Sequence, residues 1–521
     1  MSDATISLCV LGGALVLFVS NRLPVELVAT AVALTLLATG VVDLQGAFAG
    51  FGDPVVVFLA SLFVVSEGLD STGVTAWVSE RLGGTVGGDR RRLLVVAMAM
   101  TAGLSALISP NGAVAAFLPM AVMSATRAGL SPSAIAMPTA FAASAGALLV
   151  LTGSPINLLV SEAAVSGGGR GFGFFSFAWI GVPLVLGTIG IVTVLGPRLL
   201  PHRRSKRSAP DLSQYAETLA RDYGLDASRA VLDRERGIAE VVIPPRSRYV
   251  GDEVAPGTRT EGGLEVLAVR RGGRLHEEAI ALEVGDTLLV QGTWDLLEEN
   301  VRDDDVLVVD SPELIRRQAV PMGPRARRSL VILSGMVLLL AFDLVPAAVA
   351  GLLAAGAMVL TRVLRVEQAY RAISWTTLIL IAGMIPLSTA IQGTGAADIL
   401  ATLLLRLIGE GGPYALMLGS FVLIAALGQI VSNTATALIV LPVVLSAASE
   451  MGVSPRPFLM LVAVACAASF LTPIATPANM MVQGPGGYRF GDYWRLGLVN
   501  MAWFFAVSIT VIPWIWPFHA P

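Results

Sequence analysis

Four short stretches hold the residues of this chain that could do chemistry: Ser109-Pro110-Asn111-Gly112, Thr152-Gly153-Ser154-Pro155-Ile156-Asn157, Ser432-Asn433-Thr434 and Thr472-Pro473-Ile474-Ala475-Thr476-Pro477-Ala478-Asn479. None contains Asp, Glu, Lys, Arg or His. A bare strong charge is absent, and no bond chemistry is expected. What they offer is dipoles. Hydroxyls and carboxamides at Asn111, Ser154, Asn157, Ser432, Asn433, Thr434, Thr476 and Asn479, together with helix N-termini, can hold an anion. Carbonyls and hydroxyls at the same breaks can coordinate a dehydrated alkali cation. An anion bound together with cations, close to neutral overall, is the chemistry that follows.

The elements that position these stretches are set by composition. The chain has 521 residues, 55% hydrophobic and 14% charged, where a soluble domain has about 45–50% and about 25%. A soluble enzyme and a disordered chain are both excluded, and a bilayer is the expected solvent. The net charge of −3 gives no basic footprint for nucleic acid. Cys9 and Cys466 sit far apart in apolar runs, as small core residues and not a disulfide or metal framework. His202, His276 and His519 all lie outside the apolar runs.

Apolar segments fill residues 4–200 and 329–518, and residues 201–328 carry most of the charge. The expected organisation is a membrane repeat at 1–200, a soluble insert at 201–328 with its core at 237–310, and a second membrane repeat at 329–521. The first apolar run, from Ile6 to Ser20, has no basic segment before it and leads straight into Val25 to Val42. It reads as a membrane anchor, not a cleaved signal.

Between Arg92 and Arg127 lie 34 uncharged residues, about 51 Å as one helix against a hydrocarbon core of about 30 Å. With Ser109 to Gly112 at its centre, this segment reads as a re-entrant hairpin. Between Glu410 and Glu450 there are 39 uncharged residues with Ser432-Asn433-Thr434 near the middle. Each hairpin precedes a long uncharged segment broken late, which reads as a discontinuous helix. One such break is equally a kink in a packed helix. Four in two matched pairs point to a polar cavity, because unpaired backbone groups are costly in hydrocarbon.

The blocks also repeat. Ser109 and Pro119 correspond to Ser432 and Pro442 at an offset of 323 (432 − 109), and Ser131-Pro132 to Ser454-Pro455. Thr72-Gly73, Pro155 and Asn157 correspond to Thr394-Gly395, Pro477 and Asn479 at 322 (394 − 72). With an odd number of crossings per block the second copy is inverted, an arrangement found in transporters.

In the insert, a polar helix is expected at Leu212 to Tyr223. Strands are expected at Ile238 to Ile243, Leu264 to Arg270, Thr287 to Gln291 and Val306 to Asp310, with a turn at Arg271-Gly272-Gly273. Basic joints at His202 to Arg207 and Arg325 to Arg328, with Arg90-Arg91-Arg92, Arg362, Arg365 and Arg371, place the insert in the cytoplasm and both termini outside. Glu67, Asp70 and Asp398 read as helix ends beside Thr72-Gly73 and Thr394-Gly395, with proton carriage as the competing role. Trp494, Trp503, Trp514 and Trp516 read as interface anchors.

At Ser432-Asn433-Thr434 with Pro442, and from Ala475-Thr476-Pro477 to Gly484-Pro485-Gly486-Gly487-Tyr488, the chain resembles the divalent anion/sodium symporters, the solute carrier 13 family. The resemblance covers both membrane blocks. It implies an all-α polytopic membrane protein of the bacterial inner membrane, with two inverted repeats, each bearing a re-entrant hairpin and a broken helix. It further implies a homodimer that moves sulfate or di- and tricarboxylates with sodium by an elevator motion, with no organic cofactor. By position, Ser105, Ser109 and Gly153 would form a first sodium site, and Gly428, Ser432, Asn433 and Ala475 a second. Substrate oxygens would meet Asn111, Ser432, Asn433, Thr434, Thr476 and Pro477. Pro110 departs from the family's Ser-Asn-Thr in the first hairpin, removing an amide side chain and a backbone donor.

The insert, a small α+β domain, resembles the C-terminal regulatory domain of potassium-uptake proteins (the TrkA-C or RCK-C type), most clearly at Leu282-Glu283-Val284-Gly285-Asp286-Thr287-Leu288-Leu289-Val290-Gln291-Gly292. That resemblance implies a small regulatory ligand or a dimerising module. Two other functions stay open: a cation/proton or arsenite-type antiporter using carboxylates such as Asp70 or Asp398, and an RCK-regulated potassium uptake protein.

Overall fold

In the computed structural model the chain divides into two compact units. The first comprises Met1–Glu67, Val86–Ser208 and Ile332–Pro521, and the second Gly68–Thr85 and Ala209–Val331. The structure describes residues 2–20, 22–74, 77, 90–127, 130–201, 219, 223, 236–260, 262–300, 305–309, 325–408 and 411–519. The basic joint at His202 to Arg207 lies outside these residues, as does the expected helix at Leu212 to Tyr223 apart from Leu219 and Tyr223.

Before the insert the helices are Asp3–Ser20 (α1), Val25–Ala38 (α2), Leu44–Phe48 (α3), Pro54–Ser71 (α4), Arg90–Leu107 (α5), Pro110–Arg127 (α6), Ala136–Gly146 (α7), Pro155–Ser166 (α8) and Ala178–Leu199 (α9). The insert contributes Trp294–Asn300 (α10). After it come Ala326–Ala341 (α11), Ala347–Leu360 (α12), Val366–Ala372 (α13), Trp375–Gly393 (α14), Ala396–Ile408 (α15), Gly412–Leu427 (α16), Asn433–Glu450 (α17), Arg456–Ala467 (α18), Pro477–Gly486 (α19) and Tyr493–Ile515 (α20). Among the described residues, six helical stretches are long and apolar enough to cross a membrane, including α1, α9, α14 and α17.

Elements recur with little drift. Both ends of α2 and α12 differ by 322 (347 − 25), and the short turns Leu151–Gly153 and Pro473–Ala475 differ by the same amount (473 − 151). Side chains recur in the same register. Thr72 Oγ1 and Ser329 Oγ lie 3.0 Å apart, and Thr394 Oγ1 donates to Ser7 Oγ at 3.4 Å. Each threonine thus meets the serine equivalent to its counterpart's partner.

Small residues let the helices approach closely. A Cβ on Gly146 of α7 would lie 2.3 Å from the Ala102 carbonyl oxygen of α5, and one on Gly50 would lie 2.1 Å from that of Ala382 in α14. Large rings fill the space between α7, the second break and α20, with Phe141 and Phe470 at 4.7 Å and Phe470 and Phe504 at 4.9 Å between centroids. Trp503 packs inward, where Gly187 makes room for its ring and its Nε1 donates to the Pro183 carbonyl at 3.2 Å. Of the four tryptophans expected as anchors, Trp514 is the most exposed, at 80%.

The insert forms a five-stranded sheet in the order β4-β3-β6-β1-β7, from Arg236–Val242 (β1), Glu265–Arg271 (β3), Arg274–His276 (β4), Thr287–Thr293 (β6) and Leu307–Val308 (β7). Glu253–Val254 (β2) and Ile280–Ala281 (β5) pair separately. β6 runs antiparallel to β1 from Arg236↔Thr293 to Val242↔Thr287. Gly272 and Gly273, with φ of 57° and 82°, close the β3–β4 hairpin, as the double glycine predicts. The four expected strands are present within a few residues of their expected ends. Ile238, Val266, Val269 and Leu289 pack beneath them, all 0% exposed.

Candidate functional site

Each of the four polar stretches becomes a helix N-terminus. α6, α8 and α19 begin at Pro110, Pro155 and Pro477, and α17 at Asn433. The prolines therefore start helices and do not interrupt them, since a first-turn position needs no N–H and suits proline's fixed φ. As a result Asn111, Gly112, Asn157, Thr434 and Asn479 lie inside first turns, and the first hairpin's turn shrinks to Ile108 and Ser109. A hydroxyl caps every one of these ends. Ser109 Oγ accepts from the Gly112 N–H at 3.2 Å, Ser154 Oγ from Ile156 at 3.3 Å, Ser432 Oγ from Ala435 at 3.3 Å and Thr476 Oγ1 from Asn479 at 3.1 Å.

Packing interleaves the helices of the two blocks. α8, the second part of the first broken helix, packs against α17 and α18, and α19, its counterpart, packs against α6 and α7. Each hairpin is thus met by the broken helix of the other block. Each of the four N-termini carries the positive end of a macrodipole, equivalent to roughly half an elementary charge.

At the first hairpin, Ser109 adopts φ 155°, a value rare for a residue with a side chain. Ser105 is buried on α5 and its Oγ donates to the Ala143 carbonyl at 2.6 Å. Asn111 is exposed, and Ser66 of α4 donates to the Ile108 carbonyl at 3.2 Å. Gly153 is buried so tightly that a Cβ would lie 2.3 Å from the Ala147 carbonyl oxygen.

At the second hairpin, Ser469 Oγ donates to Asn433 Oδ1 at 2.7 Å. Gly428 lies beside that pair, its Cβ position 3.2 Å from Ser469 Oγ and 3.5 Å from Asn433 Oδ1. Gln429 Oε1 accepts from the Leu471 N–H at 3.0 Å, and the Gln429 carbonyl accepts from Thr472 Oγ1 at 3.3 Å. Gly428 and Asn433 therefore meet the second break, which also carries Ala475 and Thr476. Ser469 and Gln429 were not singled out in the sequence, where the available signal was two uncharged polar residues inside apolar runs. Ser432 and Pro477 are exposed, Ser154, Asn433 and Thr434 half-buried, and Ala475 and Thr476 buried.

Asn157 and Asn479 are each 0% exposed. Asn157 Nδ2 donates to the carbonyls of Ala147 and Val150 at 2.8 and 3.0 Å. Asn479 Nδ2 donates to those of Ser469 and Thr472 at 2.9 and 3.2 Å. Of the three carboxylates weighed in the sequence, Asp70 lies in the last turn of α4 and Asp398 in the first turn of α15, where it accepts from Ser446 Oγ, while Glu67 lies one turn further inside α4.

A helical membrane protein with polar, charge-free helix breaks in matched pairs has the architecture of a solute transporter. A family model described as "Citrate transporter" matches residues 15–448 and 404–519, and the chain belongs to that family. It is related to the divalent anion/sodium symporters that the Ser-Asn-Thr and Ala-Thr-Pro motifs resemble. The chain is similar to the transporter YfbS of Escherichia coli (strain K12), 32% identical with 98% of this chain and 99% of the relative covered. It is also similar to sodium/sulfate cotransporter 1 of Chlamydomonas reinhardtii, 26% identical over 52% of this chain and 32% of that protein. The crystal structure of the YdaH transporter of Alcanivorax borkumensis shares the fold, with a TM-score of 0.50 at 18% identity over 91% of this chain and 88% of that one.

Proposed function

We propose that this transporter is a sodium-coupled symporter of a divalent anion, sulfate or a di- or tricarboxylate, working by an elevator motion as a homodimer. The observation that carries the reading is that all four breaks end in hydroxyl-capped helix N-termini, none of whose capping stretches holds an ionisable side chain. Such ends stabilise a doubly negative solute by dipoles alone. The free oxygens of the breaks are hard donors suited to alkali cations. The named relatives support both halves of the reading, one family model being described as a citrate transporter and three algal relatives as sodium/sulfate cotransporters, one of them probable.

In this reading Asn111, Ser154, Ser432, Asn433, Thr434, Thr476 and Pro477 surround the anion, while Asn157 and Asn479, expected among them from the sequence, are 0% exposed and give their NH2 groups to carbonyls of their own breaks. Ser105, Ser109 and Gly153 supply one sodium site, and Gly428, Ser432, Asn433 and Ala475 the other. The blocks at 1–200 and 329–521 are inverted repeats with re-entrant hairpins, supported by the reciprocal Thr72–Ser329 and Thr394–Ser7 pairs. The protein lies in the bacterial inner membrane with the 201–328 insert cytoplasmic and both termini outside. The insert acts as a regulatory module of the TrkA-C type, binding a small ligand or dimerising.

Uptake of radiolabelled sulfate, citrate and succinate into proteoliposomes under sodium, potassium or proton gradients tests this. Sodium-driven sulfate or carboxylate uptake is expected, with Asn433→Ala lowering it about tenfold or more and Asp398→Asn leaving it unchanged. Proton-driven uptake abolished by Asp398→Asn would overturn the symporter in favour of an antiporter.

A further inference from the structure

The two buried carboxamides, Asn157 and Asn479, are the third residues of α8 and α19 and reach back across their own breaks. The carbonyls they meet, of Ala147 and Val150 in one break and Ser469 and Thr472 in the other, lie ten and seven residues earlier in both cases. These carbonyls follow the C-terminal ends of α7 and α18, where backbone acceptors have no partner within the helix. Because both partners are acceptors, each amide can present only its NH2 group to them, which fixes its orientation.

The opposite atoms, Asn157 Oδ1 and Asn479 Oδ1, are buried without a hydrogen-bond partner. An orphaned acceptor is unfavourable in the interior, and it is tolerated here at two equivalent positions. The same breaks are also held from outside. A Cβ on Gly181 of α9 would lie 2.1 Å from the Leu148 carbonyl oxygen, and one on Gly497 of α20 would lie 2.3 Å from that of Phe470. Leu148 and Phe470 are equivalent, 322 residues apart (470 − 148).

We propose that Asn157 and Asn479 are positioning residues that staple the two halves of each broken helix, fixing the breaks so that their remaining oxygens and N-termini face the transported ions. Neither side chain touches the solute. The inference rests on the symporter reading for its transport consequence and on geometry alone for its structural one. Buried groups that orient ligating groups in this way are worth about 10–100-fold in ion affinity.

The experiment uses full-length protein in detergent and in proteoliposomes. Asn157→Asp and Asn479→Asp keep size and the unpartnered oxygen but lose both donors, and Asn157→Leu and Asn479→Leu remove all polarity. In each Asp or Leu variant, amide hydrogen exchange is expected to speed up in the altered break, residues 147–154 or 469–476, and not in the other. In transport, both replacements at a site should raise the cation concentration giving half-maximal uptake about tenfold or more, with maximal rate changing less. A Ser variant, which restores one donor, should recover part of the affinity. Should an Asp variant fail to purify, exchange in the Ser variant decides, with intermediate protection expected. Asp variants that bind the cation as well as wild type, or better, would show the unpartnered oxygen to be a ligand and overturn the proposal. So would unchanged exchange in the altered break. Wild-type protein without sodium dependence would defeat the symporter reading alone, since the exchange result stands without it.

Discussion

The two hairpin tips are equivalent in sequence position and unlike in how they are held. The second is tied to its own break by side chains: Ser469 to Asn433, and Gln429 to both Leu471 and Thr472. In the first, the position of Asn433 is Pro110 and that of Ser469 is Ala147. Its tip is met instead by Ser66 from α4, and its break closes by backbone packing of Gly153 on Ala147. The breaks differ in the same sense, since Ala475 carries a Cβ where Gly153 has no room for one. A pseudo-symmetric pair can thus keep backbone geometry constant while one member uses side-chain oxygens and the other relies on the main chain. Under the proposed symport the two cation sites would differ in strength, since the second tip offers the Asn433 carboxamide where the first has Pro110.

The largest effect should come from removing the tolerance that makes the first break possible. Gly153→Ala would drive a methyl group against the Ala147 carbonyl, and neither partner is a flexible side chain. Overpacking of this kind costs about 1–3 kcal/mol, so uptake should fall about tenfold or more, measured at equal protein in proteoliposomes. Ala475→Gly should change it little. A smaller and more specific effect is expected from Pro110→Asn, which copies the second tip onto the first. It should lower the cation concentration for half-maximal uptake several-fold, and no change would mean that the tip residue does not set the asymmetry.

The smallest effect concerns the insert. Asp286 is 1% exposed. Although burial pushes its carboxyl up, its hydrogen bonds from the Arg271 guanidinium at 2.8 and 2.6 Å, and from the Glu283 N–H at 2.7 Å, hold it below the usual carboxylate range. A depressed folded-state value means that this stability is complete above the unfolded carboxyl's range and is lost as pH falls through the folded value, below about pH 4. Asp286→Asn should therefore lower amide protection of residues 282–291 at neutral pH and blunt its loss in acid, with transport in the absence of a ligand for the insert unchanged.

Much of the fold was legible because its causes are local. A charge-free run longer than a bilayer must break, and the breaks fell where Ser109, Ser432, Pro155 and Pro477 said they would. The double glycine at 272 and 273 closed its hairpin as expected. The prolines were harder to read, since a residue that forbids a helix interior also favours its first turn. Asn157 and Asn479 were legible as polar residues at membrane depth, but their direction was not: both NH2 groups turn to carbonyls of their own breaks.

By itself, then, the sequence determined a bilayer protein with four charge-free helix breaks in two matched pairs, because bilayer thickness, backbone hydrogen bonding and proline's geometry act over a few residues. Only the tertiary structure decided which polar atoms meet, as with Ser469 and Asn433, or Thr72 and Ser329, 257 residues apart. Those pairings depend on how helices distant in sequence pack, within the second block for Ser469 and Asn433 and across the two blocks for Thr72 and Ser329, and no short-range preference of the chain encodes that.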